Sequence, residues 1–348
     1  MLSCGQQTQE TKKEGVIQKP KTDASQISLM GAGATFPHPL YSKMFDEYHN
    51  QFKVKINYQA IGSGGGIKQL IEKTVDFGGT DAPMKEEDIK KAGAEIVHIP
   101  ICMGAVVLTY NLEGNPELKL SPEVIADIFL GKIKKWDDKK IKELNPSVKL
   151  PSKEIVVVHR SDGSGTTYIF SDYLAKISEE WKSKVGAGTS LKWPCGLGAK
   201  GNPGVAGLIK QTPNSIGYVE LIYALSNNMT YAIVKNKAGK DIKPTMESVT
   251  KSANITIPED TKVSLTNTEA EEGYPISGLT WLIVYKEQKY GNRDKAVATE
   301  MTKMFLWMIK DGQKYCEPLH YAPLSEETAK KAEKIITSLT YNGEKILP

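Results

Sequence analysis

Three times this chain runs a glycine-rich stretch carrying a serine or threonine straight into a segment whose apolar residues keep helical spacing. Gly31-Ala-Gly-Ala-Thr-Phe-Pro37 leads into Leu40, Met44, Phe45, Tyr48 and Phe52, which share one helical face. Ile61-Gly-Ser-Gly-Gly-Gly66 leads into Ile67, Leu70, Ile71 and Val75. Asp162-Gly-Ser-Gly-Thr-Thr167 leads into Ile169, Phe170, Tyr173, Leu174 and Ile177. The residues ahead of the last two loops, Val54 to Tyr58 and Ile155 to Val158, have strand character, and the second is the continuous apolar run expected of a buried parallel strand. Strand, glycine-rich turn, helix predicts an α/β protein whose ligand lies at the carboxyl ends of its strands.

Other segments fit that class. Ala105 to Tyr110 and Leu279 to Tyr285 read as strands, and Val124 to Phe129, Ala296 to Ile309 and Ser325 to Leu339 as helices. Ser226 to Thr268 is polar without a clear period and reads as loops and edge structure. A length of 348 residues exceeds one ordinary core and suits two domains. No run approaches the ~18 apolar residues of a membrane span. A net charge of +4 is too small to mark a nucleic-acid binder, so that class is set aside. Nearly all the positive charge is lysine; the only arginines are Arg160 and Arg293, and an arginine in such a chain invites a specific reason, since its planar fork grips oxyanions as lysine cannot.

Of four cysteines, Cys102, Cys195 and Cys316 show no metal or redox spacing and read as small hydrophobes rather than a disulfide framework. Cys4, between Leu2-Ser3 and Gly5, has the local pattern of a bacterial lipoprotein attachment site; the alternative is a thiol on a frayed terminus. Gln6 to Gln26 is polar, Lys- and Thr-rich, and reads as a flexible tether.

Helix N-termini offer unpaired N–H groups and a positive dipole end, glycine lets the backbone approach a ligand, and Ser or Thr adds hydroxyl donors. Each loop supplies these parts: Thr35; Ser63; and Ser164, Gly165 and Thr166. One such loop is weak evidence. Three, with Arg160 four residues before a Ser-Gly-Thr, suit a small tetrahedral oxyanion wrapped on all sides. Asp162 either holds the Arg160 guanidinium or caps the following helix, and Asp81 either faces the ligand or caps the turn before Glu86. An Asp81 carboxylate facing the ligand would accept a hydrogen bond from protonated phosphate and find no proton on sulfate, so that two buried acceptors would oppose each other. Micromolar affinity needs only about −8 kcal/mol. About a dozen hydrogen bonds, the charge-assisted ones at roughly 1.5–3 kcal/mol each, exceed that even after desolvation.

At these residues the chain closely resembles the periplasmic phosphate-binding proteins of Pst (phosphate-specific transport) ABC importers, from about Leu29 to near Leu339. The landmarks are Gly31 to Pro37, Tyr58-Gln-Ala-Ile-Gly-Ser-Gly-Gly-Gly66, Val75-Asp-Phe-Gly-Gly-Thr-Asp-Ala-Pro83, Phe129-Leu-Gly-Lys-Ile-Lys-Lys-Trp-Asp137, Arg160 to Thr166 and Ile216-Gly-Tyr-Val-Glu220. The resemblance implies a two-domain periplasmic binding protein (Venus flytrap, class II type) with two inter-domain crossings, near Met103 and Pro275. Residues 1–27 would form the signal remnant or tether, 28–103 with 275–348 the first domain, and 104–274 the second. It implies phosphate contacts at Thr35, Phe36 (through its backbone amide), Ser63, Asp81, Arg160, Ser164, Gly165 and Thr166, with Asp162 partnering Arg160. It further implies a non-catalytic, extracytoplasmic, monomeric protein with no cofactor or metal. Its partners would be phosphate and the permease subunits, and its contact with the membrane only through a lipid on Cys4. Gly64, where many relatives carry a second serine, and His159, where a relative can carry arginine, depart from the pattern without touching the transferred contacts.

Three rivals remain to be weighed. An enzyme acting on phosphate would be expected to show a Gly-x4-Gly-Lys-Ser/Thr, Gly-x-Ser-x-Gly or His-Glu-x-x-His motif, and none occurs. His38, His49, His98, His159 and His320 are scattered. Gly196-Leu-Gly-Ala-Lys-Gly201 matches a dinucleotide fingerprint, but Trp193-Pro-Cys195 before it and Pro203 after it predict a loop rather than strand and helix. A binder of sulfate or molybdate, and a stand-alone sensor or adhesin on the same fold, stay open.

Overall fold

The structure is a computed structural model that describes residues 27–347; Cys4 and the tether expected over 6–26 lie outside them. In chain order the strands are β1 (Ser28–Gly33), β2 (Lys55–Ala60), β3 (Phe77–Thr80), β4 (Ile96–Tyr110), β5 (Lys119–Leu120), β6 (Val156–Arg160), β7 (Leu197–Ala199), β8 (Ser215–Glu220), β9 (Ile233–Lys235), β10 (Asp241–Ile242), β11 (Ser277–Tyr285), β12 (Thr340–Tyr341) and β13 (Glu344–Lys345). The α-helices are α1 (His38–Phe52), α2 (Ser63–Ile71), α3 (Glu86–Ala92), α4 (Pro122–Phe129), α5 (Lys139–Leu144), α6 (Gly165–Ile177), α7 (Glu179–Lys184), α8 (Gly201–Gln211), α9 (Leu221–Ser226), α10 (Met246–Ser252), α11 (Lys295–Ile309) and α12 (Glu326–Thr337).

Eight strands make one continuous sheet in the order β2-β1-β3-β11-β4-β8-β6-β7. Its outer parts are parallel: β1 lies between β2 and β3 on one side, and β6 between β8 and β7 on the other. Its middle is antiparallel, and β4 is the strand both sides share. Ile96–Ala105 of β4 pairs with β11, and Val106–Tyr110 pairs with β8. The chain therefore passes from one half of the sheet to the other along β4 and returns into β11. A strand this long survives an internal proline because the register slips there: Thr280 faces Cys102 but Trp281 faces Pro100, leaving Ile101 bulged where no ladder bond is required of the proline. Sequence periodicity caught only the second part of β4, because Pro100 and His98 interrupt the first.

Helices cover both faces. The apolar side of α1 buries Leu40, Tyr41, Met44, Phe45 and Tyr48, and α6 buries Ile169, Phe170, Tyr173 and Leu174 against Phe129 and Tyr218. Cys102 and Cys316 are buried and Cys195 half-buried, all three as free thiols. Two expectations need correction. Gly196 to Gly201 is no loop: β7 pairs parallel with β6 and α8 begins at Gly201, with Pro203 inside its first turn, where a helix has no N–H bond to lose. The stretch 226–268 holds, besides β9 and β10, the helix α10, closed at its start by a reciprocal Thr245–Ser248 capping box.

The carboxyl end of β1 depends on a main-chain approach. Gly33 has φ +147°, and a Cβ built there would stand 2.1 Å from the carbonyl oxygen of Gly79 on β3. The next amide, of Ala34, donates to that same oxygen at 2.9 Å. This contact fixes the turn carrying Thr35 and Phe36 beside β3, which leads into Asp81. Gly33→Ala is expected to destabilise the protein by at least ~2 kcal/mol, since neither main chain can step aside. Urea unfolding at equilibrium reads the loss, and an unchanged midpoint would refute the steric argument.

Candidate anion-binding site

Thr35, Ser63, Asp81, Arg160, Ser164, Gly165 and Thr166 meet at one buried place, where the carboxyl ends of β1, β3 and β6 face the first turns of α2, α6 and α8. All are buried, as is Phe36. The contacts cross from one half of the sheet to the other. The Ser63 hydroxyl oxygen, at the start of α2, accepts from the Gly165 amide at 3.0 Å and from the Asp81 amide at 3.3 Å. The Gly64 amide donates to the carbonyl of Gly163 at 2.8 Å. Position 165 admits no side chain, because a Cβ there would lie 2.4 Å from Asp81 Oδ2.

Arg160, the last residue of β6, is held on three sides. Its amide donates to the Tyr218 hydroxyl at 3.1 Å, Nε donates to Asp162 Oδ1 at 2.7 Å, and an Nη donates to Asp162 Oδ2 at 2.6 Å. The other Nη points to Thr166 Oγ1 at 3.4 Å. Asp162 does not cap α6. Ser164 does, its hydroxyl accepting from the Thr167 amide at 3.0 Å, while Asp162 Oδ1 also receives the Gly201 amide at 3.0 Å. Burial works to raise the Asp162 carboxyl, but the Arg160 hydrogen bonds and charge and the Gly201 amide outweigh it and hold the group below its ordinary value.

Asp81 is the opposite case. Burial pushes it up to about 7, against the moderating Thr280 hydroxyl, the Arg160 charge and Ser63. Thr280 Oγ1 donates to Oδ1 at 2.7 Å. Asp81 does not cap a helix, for α3 begins after Lys85. Thr35 and Phe36 are anchored through their carbonyls, which accept from the Tyr223 hydroxyl at 2.5 Å and the Tyr321 hydroxyl at 2.6 Å. Among the described residues the amides of Phe36 and Thr166 have no protein acceptor. Asn202, Thr280, Tyr218, Tyr223 and Tyr321 were not singled out from sequence. Only Asn202 had a signal, in the strand-turn-helix at 196–203. Arg293 lies elsewhere, paired with Asp76.

Among the described residues the arrangement brings hydroxyl and amide groups and one guanidinium together with the Asp81 carboxyl, which burial pushes up to about 7. It can surround a small oxyanion, and its carboxyl can accept a hydrogen bond from a protonated oxygen of that anion.

A family model described as the PBP superfamily domain matches residues 11–311. The phosphate-binding protein PstS of Xylella fastidiosa (strain Temecula1 / ATCC 700964) is 43% identical over 312 residues, covering 88% of this chain and 84% of that protein. That of Pasteurella multocida (strain Pm70) is 44% identical over 314 residues, covering 88% and 89%. The chain belongs to the PstS family of phosphate-binding proteins. It has the two-domain periplasmic binding protein fold of that family. The crystal structure of the high-affinity periplasmic phosphate-binding protein PfluDING, bound with phosphate, matches with a TM-score of 0.73 at 21% identity over 88% of this chain and 93% of that one. The phosphate-binding protein of Stenotrophomonas maltophilia matches with a TM-score of 0.68 at 17% identity, over 88% and 93%. At these identities the likeness is one of fold.

For this PstS-family chain the elevated Asp81 carries a pH signature. An unfolded Asp81 ionises near its ordinary value of 3.8, the folded one near 7. Stability from this group is complete below 3.8 and is lost as pH rises through 7, amounting to roughly 4 kcal/mol across the window. Asp81→Asn, which cannot ionise, is expected to raise the melting temperature of the ligand-free protein at pH 8 and to raise it less at pH 5. Equal gains at both pH values would contradict a buried charge as the cause.

Proposed function

We propose that this chain binds inorganic phosphate outside the cytoplasmic membrane and delivers it to the permease of an ABC importer, as a monomer that catalyses no reaction. The observation carrying this is that Thr35, Ser63, Arg160, Ser164, Gly165 and Thr166 are brought together with the Asp81 carboxyl from both halves of the sheet. In this reading the Phe36 amide completes the shell, Asp162 steadies Arg160, and the Asp81 carboxylate accepts a hydrogen bond from the protonated oxygen of the bound phosphate. Residues 28–103 with 275–348 act as one domain and 104–274 as the other, consistent with β4 and β11 carrying the chain between the halves. A lipid on Cys4, with 1–27 as tether, would hold the folded body near the membrane.

A fully ionised oxyanion of the same shape supplies no proton to Asp81, which supports phosphate over sulfate. Titration calorimetry on protein stripped of ligand is expected to show phosphate binding and a strong preference over sulfate. Asp81→Asn is expected to narrow that preference by at least ~10-fold, since the amide can donate to either anion. Absence of phosphate binding in the parent protein would end the proposal; an unchanged preference in the variant would remove Asp81 as the discriminating group.

The contacts between Ser63 and Gly165 and between Gly64 and Gly163 exist only when the halves are together. Phosphate, gripping both, favours that state. Small-angle scattering is expected to give a smaller radius of gyration with phosphate than without; identical values would argue against closure.

A further inference from the structure

Asn202 sits in the first turn of α8, is fully buried, and uses every polar atom of its side chain. Its Oδ1 accepts from the Glu220 amide at 2.9 Å, a group that can only donate, so the orientation of the side-chain amide is fixed. Nδ2 must therefore face the other way, and it does so between two threonines. It donates to Thr35 Oγ1 at 2.9 Å and to Thr166 Oγ1 at 3.0 Å. The backbone amide of Asn202 gives Thr35 Oγ1 a second hydrogen at 3.2 Å, and Arg160 points a second one at Thr166 Oγ1 at 3.4 Å.

A hydroxyl oxygen has two lone pairs and one proton. Both lone pairs of Thr35 Oγ1 and of Thr166 Oγ1 are taken by donors, so each hydroxyl has one remaining capacity, which is to donate. Neither gives its proton to a protein acceptor among the described residues, although both are buried. Two buried hydroxyls forced into the donor role and left without an acceptor call for one from outside the chain.

Resting on the proposed phosphate site, we infer that Asn202 is a positioning residue that turns the hydroxyl protons of Thr35 and Thr166 onto the bound anion. The consequence reaches orientation as well as affinity. Oxygens facing the threonines serve as acceptors, and an ionised oxygen accepts more strongly than a protonated one. The ligand's proton is therefore favoured on the oxygen facing Asp81. Because Thr35 precedes α1 in one half and Asn202 belongs to the other, Thr35 acquires its fixed donor role only when the halves meet.

The test is a cycle of variants read by phosphate calorimetry on ligand-stripped protein. Asn202→Ala is expected to weaken phosphate binding about tenfold or more by letting both hydroxyls rotate. In a Thr35→Val, Thr166→Val background, where there are no hydroxyls to orient, the same change is expected to cost less than about twofold. A merely structural role would weaken binding equally in both backgrounds, and that result, or no loss in either, overturns the inference. Should Asn202→Ala fail to fold, Asn202→Asp serves instead. It keeps the shape and the bond from Glu220 but presents an acceptor to the threonines, and binding is expected to fall at least ~100-fold; a value within threefold of the parent overturns the inference. Failure of the parent protein to bind phosphate would instead remove the proposed function, which the same titration detects first.

Discussion

A guanidinium taken out of water must meet a carboxylate, and the fork between Arg160 and Asp162 organises most of what surrounds it. Two hydrogen bonds fix the plane of the arginine and leave its remaining Nη aimed at Thr166. The same carboxylate receives the Gly201 amide, which sets where α8 begins and so where Asn202 stands. The Tyr218 hydroxyl, stacked below among Phe170 and Trp193, supports the arginine from its own backbone side. Three elements that are separate in sequence (β6, α6 and α8) are thus registered on one ion pair.

That pairing also decides what kind of electrostatics the site offers. Arg160, the buried cation of the site among the described residues, is largely neutralised by its partner, and the further buried carboxyls, Asp81 and Glu220, are both pushed upward by burial. Anion recognition therefore falls to oriented dipoles, hydroxyls and amides, rather than to net charge. The lysines lie on the surface in exposed pairs such as Lys140 with Glu123 and Asp127, which contribute little to stability singly. The charge of +4 across the whole chain is consequently a poor guide to its ligand.

The loops were legible in the sequence because their logic is local: glycine, hydroxyl and helix start fall within a few residues, and strands and helices around them kept clear periods. What sequence left out was long-range. Tyr223 and Tyr321 secure the Thr35 and Phe36 carbonyls from far along the chain, and nothing near them in sequence marks that duty. Thr280 sits inside an apolar strand and reads as filler until β11 is laid next to β3. The α8 start is hidden in the sequence because Pro203 has the look of a helix breaker, whereas the first turn of a helix tolerates it. Asn202 was lost with that helix.

At the mouth of the cleft the meeting is between two bare main chains, Gly64 against Gly163, where a Cβ on either would come to 3.0 Å from the other's Cα. The nearest atoms across this contact are main chain on both sides. In the proposed clamp, a molecule held behind such a seam leaves when the two lobes rotate apart. How long it stays is then governed by torque on the two lobes, and a partner that grips both lobes at once commands the handover without ever reaching the cargo.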